Sequence, residues 1–292
     1  MAHINHMRKA ILLALVCAAL SACSIDRMAL RGTAGILERG RGAALDEPDW
    51  QTAREAMASQ LKLLETLLVS APADRALLRL AAEGFGGSSF LFLEDSEPSR
   101  AKGFYLRGRD HALAALARKR PFRDLAAKTV DDLEDVLKTA TNDDVPDLFW
   151  TGFCWGGYIN LSKDDASALG DLPKVAAVMK RVLELDPSYR FAGADLFFGV
   201  YYASRPALLG GDPQKAKAHF DSAHRGTKGR YLMAHVLNAR WYAVAVQDRE
   251  LFTQLLTKTL ESPSGQLPEA RLTDEAAKRK AAALLEKTDD YF

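Results

Sequence analysis

The pattern most able to do chemistry in this chain is a cysteine flanked by glycines. Gly152-Phe153-Cys154-Trp155-Gly156 matches a Gly-x-nucleophile-x-Gly elbow with cysteine as the nucleophile. Such an elbow needs a strand before it, a helix after it, and acidic and histidine partners later in the chain. The candidate partners are Asp195, Asp212, His219, His224 and His235. A thiol hydrolase that uses Cys154 is therefore one hypothesis for the function.

The sequence around this cysteine favours a structural role instead. Val145-Pro146-Asp147 is typical of a helix start, and the chain lacks the strand and helix alternation of a hydrolase fold. The glycines then let two helices approach closely, and the buried thiol packs as a small apolar group. We therefore predict that the protein is not an enzyme and that it has no catalytic residues.

The remaining polar clusters do not have the spacing of metal or phosphate sites. His219 and His224 are five residues apart on one predicted helix, so their side chains do not share a face. The acids Asp143, Asp144 and Asp147 lack a calcium-loop spacing and favour a helix start. We predict no metal and no cofactor. A net charge of +1 also argues against a nucleic-acid partner.

The amino terminus has the features of an export signal. The basic pair Arg8-Lys9 precedes an apolar run, Ala10–Leu20, which is followed by Ser21-Ala22-Cys23. Leu20-Ser21-Ala22-Cys23 resembles the lipobox of bacterial lipoproteins, which implies that Cys23 carries a lipid after removal of residues 1–22. Membrane contact is then through this anchor only. Ser24 implies, by the sorting rule of such lipoproteins, the periplasmic face of the outer membrane.

The composition predicts an all-α fold that is stabilised by its core. Of the three cysteines, Cys17 is removed with the signal and Cys23 is lipidated, so the mature chain cannot form an intrachain disulfide. Alanine, leucine, lysine, arginine and glutamate dominate, which favours helix. We expect a lipidated tether over residues 23–48 and one helical-repeat domain over residues 49–292, with a candidate sub-boundary near residues 141–146.

Caps, prolines and glycines divide this domain into paired helices. The predicted helices cover residues 50–69, 72–85, 98–119, 122–140, 147–161, 173–185, 188–204, 213–224, 229–246, 249–260 and 269–287. Helix pairs at this spacing predict an α-solenoid of antiparallel helix pairs. Gly199 and Tyr202 in one helix, followed by Ala216, Phe220 and Ala223 in the next, resemble a tetratricopeptide repeat. The spacing between the two helices is longer than in the usual repeat, so the repeats are degenerate with long inter-helix loops.

Four segments resemble one family, the T component of tripartite ATP-independent periplasmic (TRAP) transporters. They are Phe153–Asn160, Gly199–Ala203, Gly210–Ala216 and Val246–Phe252. The resemblance implies a periplasmic lipoprotein that binds the solute-binding protein of a TRAP transporter. It also implies a homotrimer with a ligand-sized pore.

In a solenoid of this kind the first helix of each pair lines the concave face. We expect most aromatic rings there to be core and some to contact a ligand or partner. The predicted groove residues are Trp155, Tyr158, Asn160, Tyr201, Tyr202, Asn238, Arg240 and Tyr242. Aromatic rings with a few amide and guanidinium groups suit a small, partly apolar organic ligand or an extended peptide. The leading hypothesis is an accessory role in solute uptake, and the alternative is a general scaffold for outer-membrane or cell-wall assembly.

Overall fold

The computed structural model describes residues 32–292, and its regular elements within that range are all helical. The prediction of an all-α protein is therefore confirmed for the described part of the chain. The predicted signal peptide, the lipid-attachment residue Cys23 and the first part of the tether lie outside the described residues. No strand precedes Cys154 within the described range, so the elbow geometry is not found.

The helices follow one another with short connections. Helix α1 covers residues 32–45. The helices after it are α2 (Trp50–Ser70), α3 (Arg75–Ser88), α4 (Pro98–Leu116), α5 (Val130–Leu137), α6 (Val145–Asn160), α7 (Ala166–Gly170), α8 (Leu172–Leu185), α9 (Tyr189–Ala203), α10 (Pro213–Thr227), α11 (Leu232–Leu237), α12 (Arg249–Glu261), α13 (Arg271–Glu286) and α14 (Thr288–Tyr291). Two of them continue into π-helical turns, π1 (Ser89–Leu93) after α3 and π2 (Asn238–Ala243) after α11.

Capping side chains and backbone conformation explain which predicted helix bounds agree with the structure and which differ from it. The Asp49 carboxylate accepts a hydrogen bond from the Thr52 amide at 2.7 Å, as predicted for a cap of α2. The next helix begins after Asp74 and not at Pro72, because the Asp74 carboxylate accepts from the Leu77 amide. The region predicted as one helix over residues 122–140 begins at the end of a 3-10 turn (Arg120–Phe122) and continues with a second 3-10 turn (Leu125–Ala127) and α5, since Asp124 has a left-handed φ of 55°. Part of the predicted tether is helical, as α1.

Successive long helices pack against each other along the chain. The series α2, α3, α4, α6, α8, α9 and α10 is formed of direct neighbours. Both α12 and α13 pack on α11, and α12 also packs on π2. Helix α13 also contacts α2 and π1, so the last long helix reaches the beginning of the stack. The segment Arg75–Leu93 is long and apolar enough to cross a membrane by length and composition, but 67% of that window is buried within the fold. It is a core helix of this stack.

Helices α6 and α9 run parallel to each other on one face of the fold. A Cβ atom on Gly193 would lie 2.5 Å from Phe149 Cε2, and one on Gly156 would lie 3.3 Å from Phe197 Cε2. Both contacts join α6 and α9 in the same chain direction. At the start of α9, the Phe191 ring stacks on the Tyr231 ring, with centroids 4.4 Å apart. The carboxyl ends of α6, α9 and π2 therefore lie toward one end of this face.

Glycines permit the closest helix contacts, as the sequence predicted. A Cβ atom on Gly86 in α3 or on Gly108 in α4 would lie 2.6 or 2.7 Å from Cys154 Sγ in α6. One on Gly157 would lie 2.5 Å from ring atoms of Tyr105. Real Cβ atoms do not approach other atoms so closely, and these three helices can pack at this distance only because the positions are glycine.

Two buried acids at the start of α6 anchor it to α3. The Asp147 carboxylate accepts from Arg75 Nε at 2.6 Å and from Arg79 Nε at 2.7 Å, and its side chain has no exposed surface. Asp144 is equally buried and pairs with Arg75 and Lys119. Burial alone would raise the pKa of Asp144, but hydrogen bonds from Lys119 and Thr141 bring the pKa below its ordinary value.

We predict that Asp147→Ala lowers the free energy of unfolding by about 3 kcal/mol, because it leaves two arginines beside a buried site with no carboxylate. The control is Asp135→Ala, which removes the exposed partner of Lys138 and should cost far less, because solvent screens an exposed pair. Urea unfolding of the two variants measures the difference. Equal losses would contradict the anchoring role of Asp147.

We also predict that Gly157→Ala destabilises the protein by about 1–3 kcal/mol, because the new methyl group meets the Tyr105 ring. Gly103 in α4 has open space at its Cβ position, so Gly103→Ala should stabilise by about 0.5–1 kcal/mol through helix propensity. Thermal unfolding of both variants checks the opposite signs. A stabilising Gly157→Ala would show that the two helices are not in close contact.

Candidate functional site

The parallel helices α6 and α9 border a cavity of about 480 Å³. Its wall comes mainly from α1, α2, α3, π1, α6, α9, α11 and π2, and single residues of α4, α7, α8 and α13 and the segments after α9 and before α13 complete it. Most of the side chains around it are apolar or aromatic. The aromatic ones include Phe90, Trp150, Phe153, Phe197, Tyr201 and Trp241. A volume of this size with a few polar groups is typical of a site for a small organic molecule.

Both π turns contribute directly to the wall of this cavity. Phe90 and Leu91 come from π1, and Trp241 comes from π2. A π turn closes on the fifth residue and so rotates the side chains that follow relative to an α-helix. Neither turn could be predicted from the sequence, because no residue pattern in these segments distinguishes a π turn from an α-helix.

One end of the cavity has a closed cluster of four charged side chains, which we call the ion ring: Arg41, Glu83, Arg190 and Glu269. Arg41 donates to Glu269 Oε2 at 3.0 Å and pairs with Glu83 at 3.5 Å. Arg190 pairs with Glu83 and, at 3.4 Å, with Glu269. Each arginine thus contacts both glutamates. This cluster could not be predicted from the sequence, because its members are far apart in the chain and only the fold brings them together.

The start of α9 has an unusual backbone where it joins this ring. Arg190, Phe191 and Ala192 have φ values of 49°, 59° and 60°. This left-handed conformation costs about 1–2 kcal/mol per residue for side chains other than glycine. The guanidinium of Arg190 also lies over the Trp150 ring at 5.6 Å. Burial, with the nearby Arg41 charge, lowers the pKa of Arg190 to about 10, so it remains a cation at neutral pH.

The other end of the cavity carries two further cations and an amide: Lys163, Arg205 and Asn160. Lys163 Nζ lies 5.2 Å from the centroid of the Trp241 ring, and Arg205 Cζ lies 3.5 Å from that of Tyr201. Neither cation forms an ion pair with a carboxylate of residues 32–292. Glu94 also lines the cavity, and its Oε2 accepts a hydrogen bond from the Tyr105 hydroxyl at 2.7 Å.

Two of the eight predicted groove residues, Asn160 and Tyr201, line the cavity. Trp155 is only 1% exposed and lies in the core. Tyr158 points toward Lys102 and Arg109 of α4, and Tyr202 stacks on His219, with centroids 5.8 Å apart. The helical periodicity did not distinguish side chains that face the cavity from side chains that pack against neighbouring helices.

The other three predicted residues lie on or beside π2 and face away from the cavity. Asn238 is buried with Nδ2 3.3 Å from His224 Nε2, and Arg240 donates to Asp95 at 3.0 Å. Tyr242 packs partly buried against the carboxy-terminal core. The wider π turn explains this placement, because it directs Trp241 to the cavity in place of its neighbours.

Cys154 lies in the middle of α6, and its surroundings are not those of a nucleophile. Its thiol is fully buried, its nearest polar neighbour is the Ala82 carbonyl at 3.7 Å, and burial raises the pKa of the thiol well above its ordinary value. The candidate partners Asp195 and His219 pair with each other at 2.7 Å between α9 and α10. Cys154 instead packs among α3, α4 and α6.

Within residues 32–292, no group of three or more histidine, cysteine or acidic side chains is arranged to hold a metal ion. The rings of His224 and His235 lie 4.6 Å apart in the core. Burial lowers the pKa of His224 to about 4, so this histidine is neutral at physiological pH.

The chain is similar to one known protein family and to a relative from another organism. Residues 46–292 match the family model described as TRAP transporter T-component. An uncharacterized protein of Treponema pallidum (strain Nichols) is 26% identical over 264 residues, which cover 85% of this chain and 81% of that protein. The family match includes every helix from α2 to α14 and thus most of the cavity wall.

We predict that Cys154 does not react with an alkylating reagent in the folded protein, because its thiol is buried and its pKa is raised. It should react fully after unfolding in urea. Mass spectrometry of the lipid-free protein, which has no other cysteine after removal of Cys23, follows the modification. Rapid alkylation of the folded protein, or thiol-dependent ester hydrolysis, would restore the hydrolase hypothesis.

Proposed function

Since this chain belongs to the TRAP transporter T-component family, we propose that it is a non-enzymatic periplasmic partner in solute uptake. In this proposal it binds the periplasmic solute-binding protein of a TRAP transporter and holds a small, partly apolar organic ligand. The observation that carries the proposal is the cavity of about 480 Å³ beside the parallel helices α6 and α9. A site of this kind binds a small molecule without any catalytic group.

The rim of the cavity supports the role of a protein partner. The loop after α9 exposes Leu208 and Leu209 by 95% and 66%, and Leu209 also lines the cavity. Leu169, 42% exposed, lines the cavity from α7. Exposed apolar side chains grouped at a cavity mouth are typical of a surface that another protein covers. A partner seated there would close the mouth, which suits passage of a ligand between two proteins.

The repeat architecture is part of the same proposal. A Cβ atom on Gly199 would lie 2.8 Å from the Phe220 ring, which is the small-residue and aromatic contact expected of a tetratricopeptide pair. We take the helix pairs to be degenerate tetratricopeptide repeats whose stack curves back on itself. The lipid anchor on Cys23, attachment to the inner leaflet of the outer membrane, and assembly as a homotrimer complete the proposal by family resemblance.

A pull-down from an envelope extract with the lipid-free protein tests the partner, and native mass spectrometry reports stoichiometry and retained ligand. We expect recovery of a TRAP solute-binding protein. Leu208→Asp should weaken this recovery by about tenfold, because a charge then replaces an apolar contact at the rim. Val69→Asp is the matched control, since Val69 is 83% exposed and does not line the cavity.

Two outcomes would contradict the proposal. Recovery of outer-membrane assembly or cell-wall proteins without a solute-binding protein would favour the general scaffold. Equal loss of binding in the Leu208 and Val69 variants would place the contact away from the cavity rim.

A further inference from the structure

The exposed side chains around the start of α1 are suited to a membrane surface. We propose that this end of the fold rests on anionic phospholipid headgroups, while the mouth of the cavity points away from the bilayer. The inference rests on the proposed function only in its lipid anchor. It adds a protein surface to a membrane contact that the sequence assigns to the anchor alone.

Helix α1 begins at the same end of the fold as α3. Glu38 lies close enough to Arg79 for their charges to attract. About one helical turn later, Arg41 pairs with Glu83 at 3.5 Å. Because later residues of α1 meet later residues of α3, the two helices run in the same direction. The start of α1 therefore lies beside Arg75, where α3 begins.

Ion pairs and a short loop place three more helix ends beside the start of α3. Arg75 pairs at 2.8 Å with Asp144, which directly precedes α6. Lys119 follows the end of α4 and pairs with the same carboxylate at 2.6 Å. Helix α2 ends at Ser70, and a short loop joins it to α3. We call this part of the fold, with the starts of α1, α3 and α6 and the ends of α2 and α4, the tether end.

A lipid on Cys23 would keep the tether end close to the bilayer. Residues 23–32 span at most about 30 Å even when fully extended, so the start of α1 stays within about that distance of the anchor. Helix α6 begins at the tether end and runs for 16 residues to Asn160, a length of about 24 Å. Asn160 lines the cavity. With the tether end on the membrane, the mouth is therefore farther from the bilayer by about the length of this helix.

The tether end exposes apolar side chains together with cations. Ile36 on α1 and Val69 near the end of α2 are 62% and 83% exposed. Arg118 and Arg120 are exposed and form no ion pair within residues 32–292. Apolar side chains beside basic ones are typical of a surface that enters the headgroup layer, and basic residues are attracted to an anionic leaflet. The chemistry of this end therefore matches an anionic phospholipid surface.

Acidic side chains limit the strength of this contact. Asp143 is exposed beside the buried Asp144, and Asp131 and Asp132 are exposed on α5, which packs against the turn Arg120–Phe122. The basic and apolar side chains alone therefore bind a membrane weakly. A lipid anchor raises the effective concentration of headgroups at this end, so that a weak contact is sufficient to orient the protein.

Vesicle binding of the lipid-free protein tests this surface without the anchor. Vesicles with phosphatidylglycerol should bind the protein at least about fivefold more tightly than vesicles of phosphatidylcholine alone, because one basic residue near an anionic surface contributes about this factor. The double variant Arg118→Gln/Arg120→Gln should lose most of this preference. Val69→Ser should weaken binding to the anionic vesicles by about threefold, because it removes an apolar group from the contact.

The matched control, Arg279→Gln/Lys287→Gln, removes the same charge at the other end of the fold. Arg279 Cζ lies 4.9 Å from the centroid of the Trp50 ring at the start of α2, and Lys287 follows the end of α13. This variant should keep the preference of the parent protein. Equal binding of the parent protein to both kinds of vesicle, no binding to either, or equal losses in the two double variants would overturn the inference.

Fluorescence energy transfer in the lipidated protein tests the orientation. A donor dye attached at Val69→Cys or at Leu208→Cys reports its distance from acceptor dyes on the headgroups, and the buried Cys154 thiol does not compete for the label. We expect strong transfer from position 69 and weak transfer from position 208 at the mouth. Equal transfer from the two positions, or stronger transfer from position 208, would overturn the proposed orientation.

Failure of this inference can be distinguished from failure of the proposed function. Recovery of a solute-binding protein together with equal binding to both kinds of vesicle would contradict this inference alone. An unmodified Cys23 in protein from the envelope would contradict the anchor on which both rest. The double variant Arg118→Gln/Arg120→Gln should recover the solute-binding protein as well as the parent does, and a loss of recovery would make the tether end a protein contact instead.

Discussion

Three helices meet around the thiol of Cys154, at a separation that side chains larger than glycine would not allow. Gly86 of α3 and Gly108 of α4 face this sulfur, and Gly157 of α6 faces the Tyr105 ring. The distance between these helices fixes the position of α6, and α6 in turn contributes Phe153 and Asn160 to the cavity. The buried ion pairs of Asp147 with Arg75 and Arg79 also hold α6 at a fixed rotation relative to α3.

Features that depend on neighbouring residues could be predicted from the sequence. Asp49 before α2 and the long run from Pro98 in α4 are examples, because a cap or a proline acts within one helical turn. The role of Gly156 and Gly157 as contact glycines was also evident from their type and spacing. The extended 3-10 region before α5 was not, because a single left-handed residue, Asp124, interrupts an otherwise helical pattern.

The aromatic character of the cavity could be predicted from the sequence, but only some of its lining residues could. Its aromatic character follows from the rings on first helices, and Asn160 and Tyr201 were identified among them. The ion ring was not predictable, since Arg41 and Glu269 are separated by 228 positions and nothing local relates them. Arg240 was misplaced for a similar reason: its partner Asp95 is 145 positions away. Ion pairs between residues far apart in the chain decide such side-chain orientations, and a single sequence does not show which residues pair.

The contact of α13 with α2 and π1 determines the order in which the molecule can assemble. Lys280 of α13 pairs with Asp95 at a separation of 185 positions, whereas neighbouring helices pair within a few tens of residues. Closing so long a loop carries an entropic cost that only the finished contacts repay. We therefore expect the helix pairs to form early and the cavity to be the last feature to appear. An incomplete chain would have folded helices but no enclosed chamber in which a guest molecule could remain.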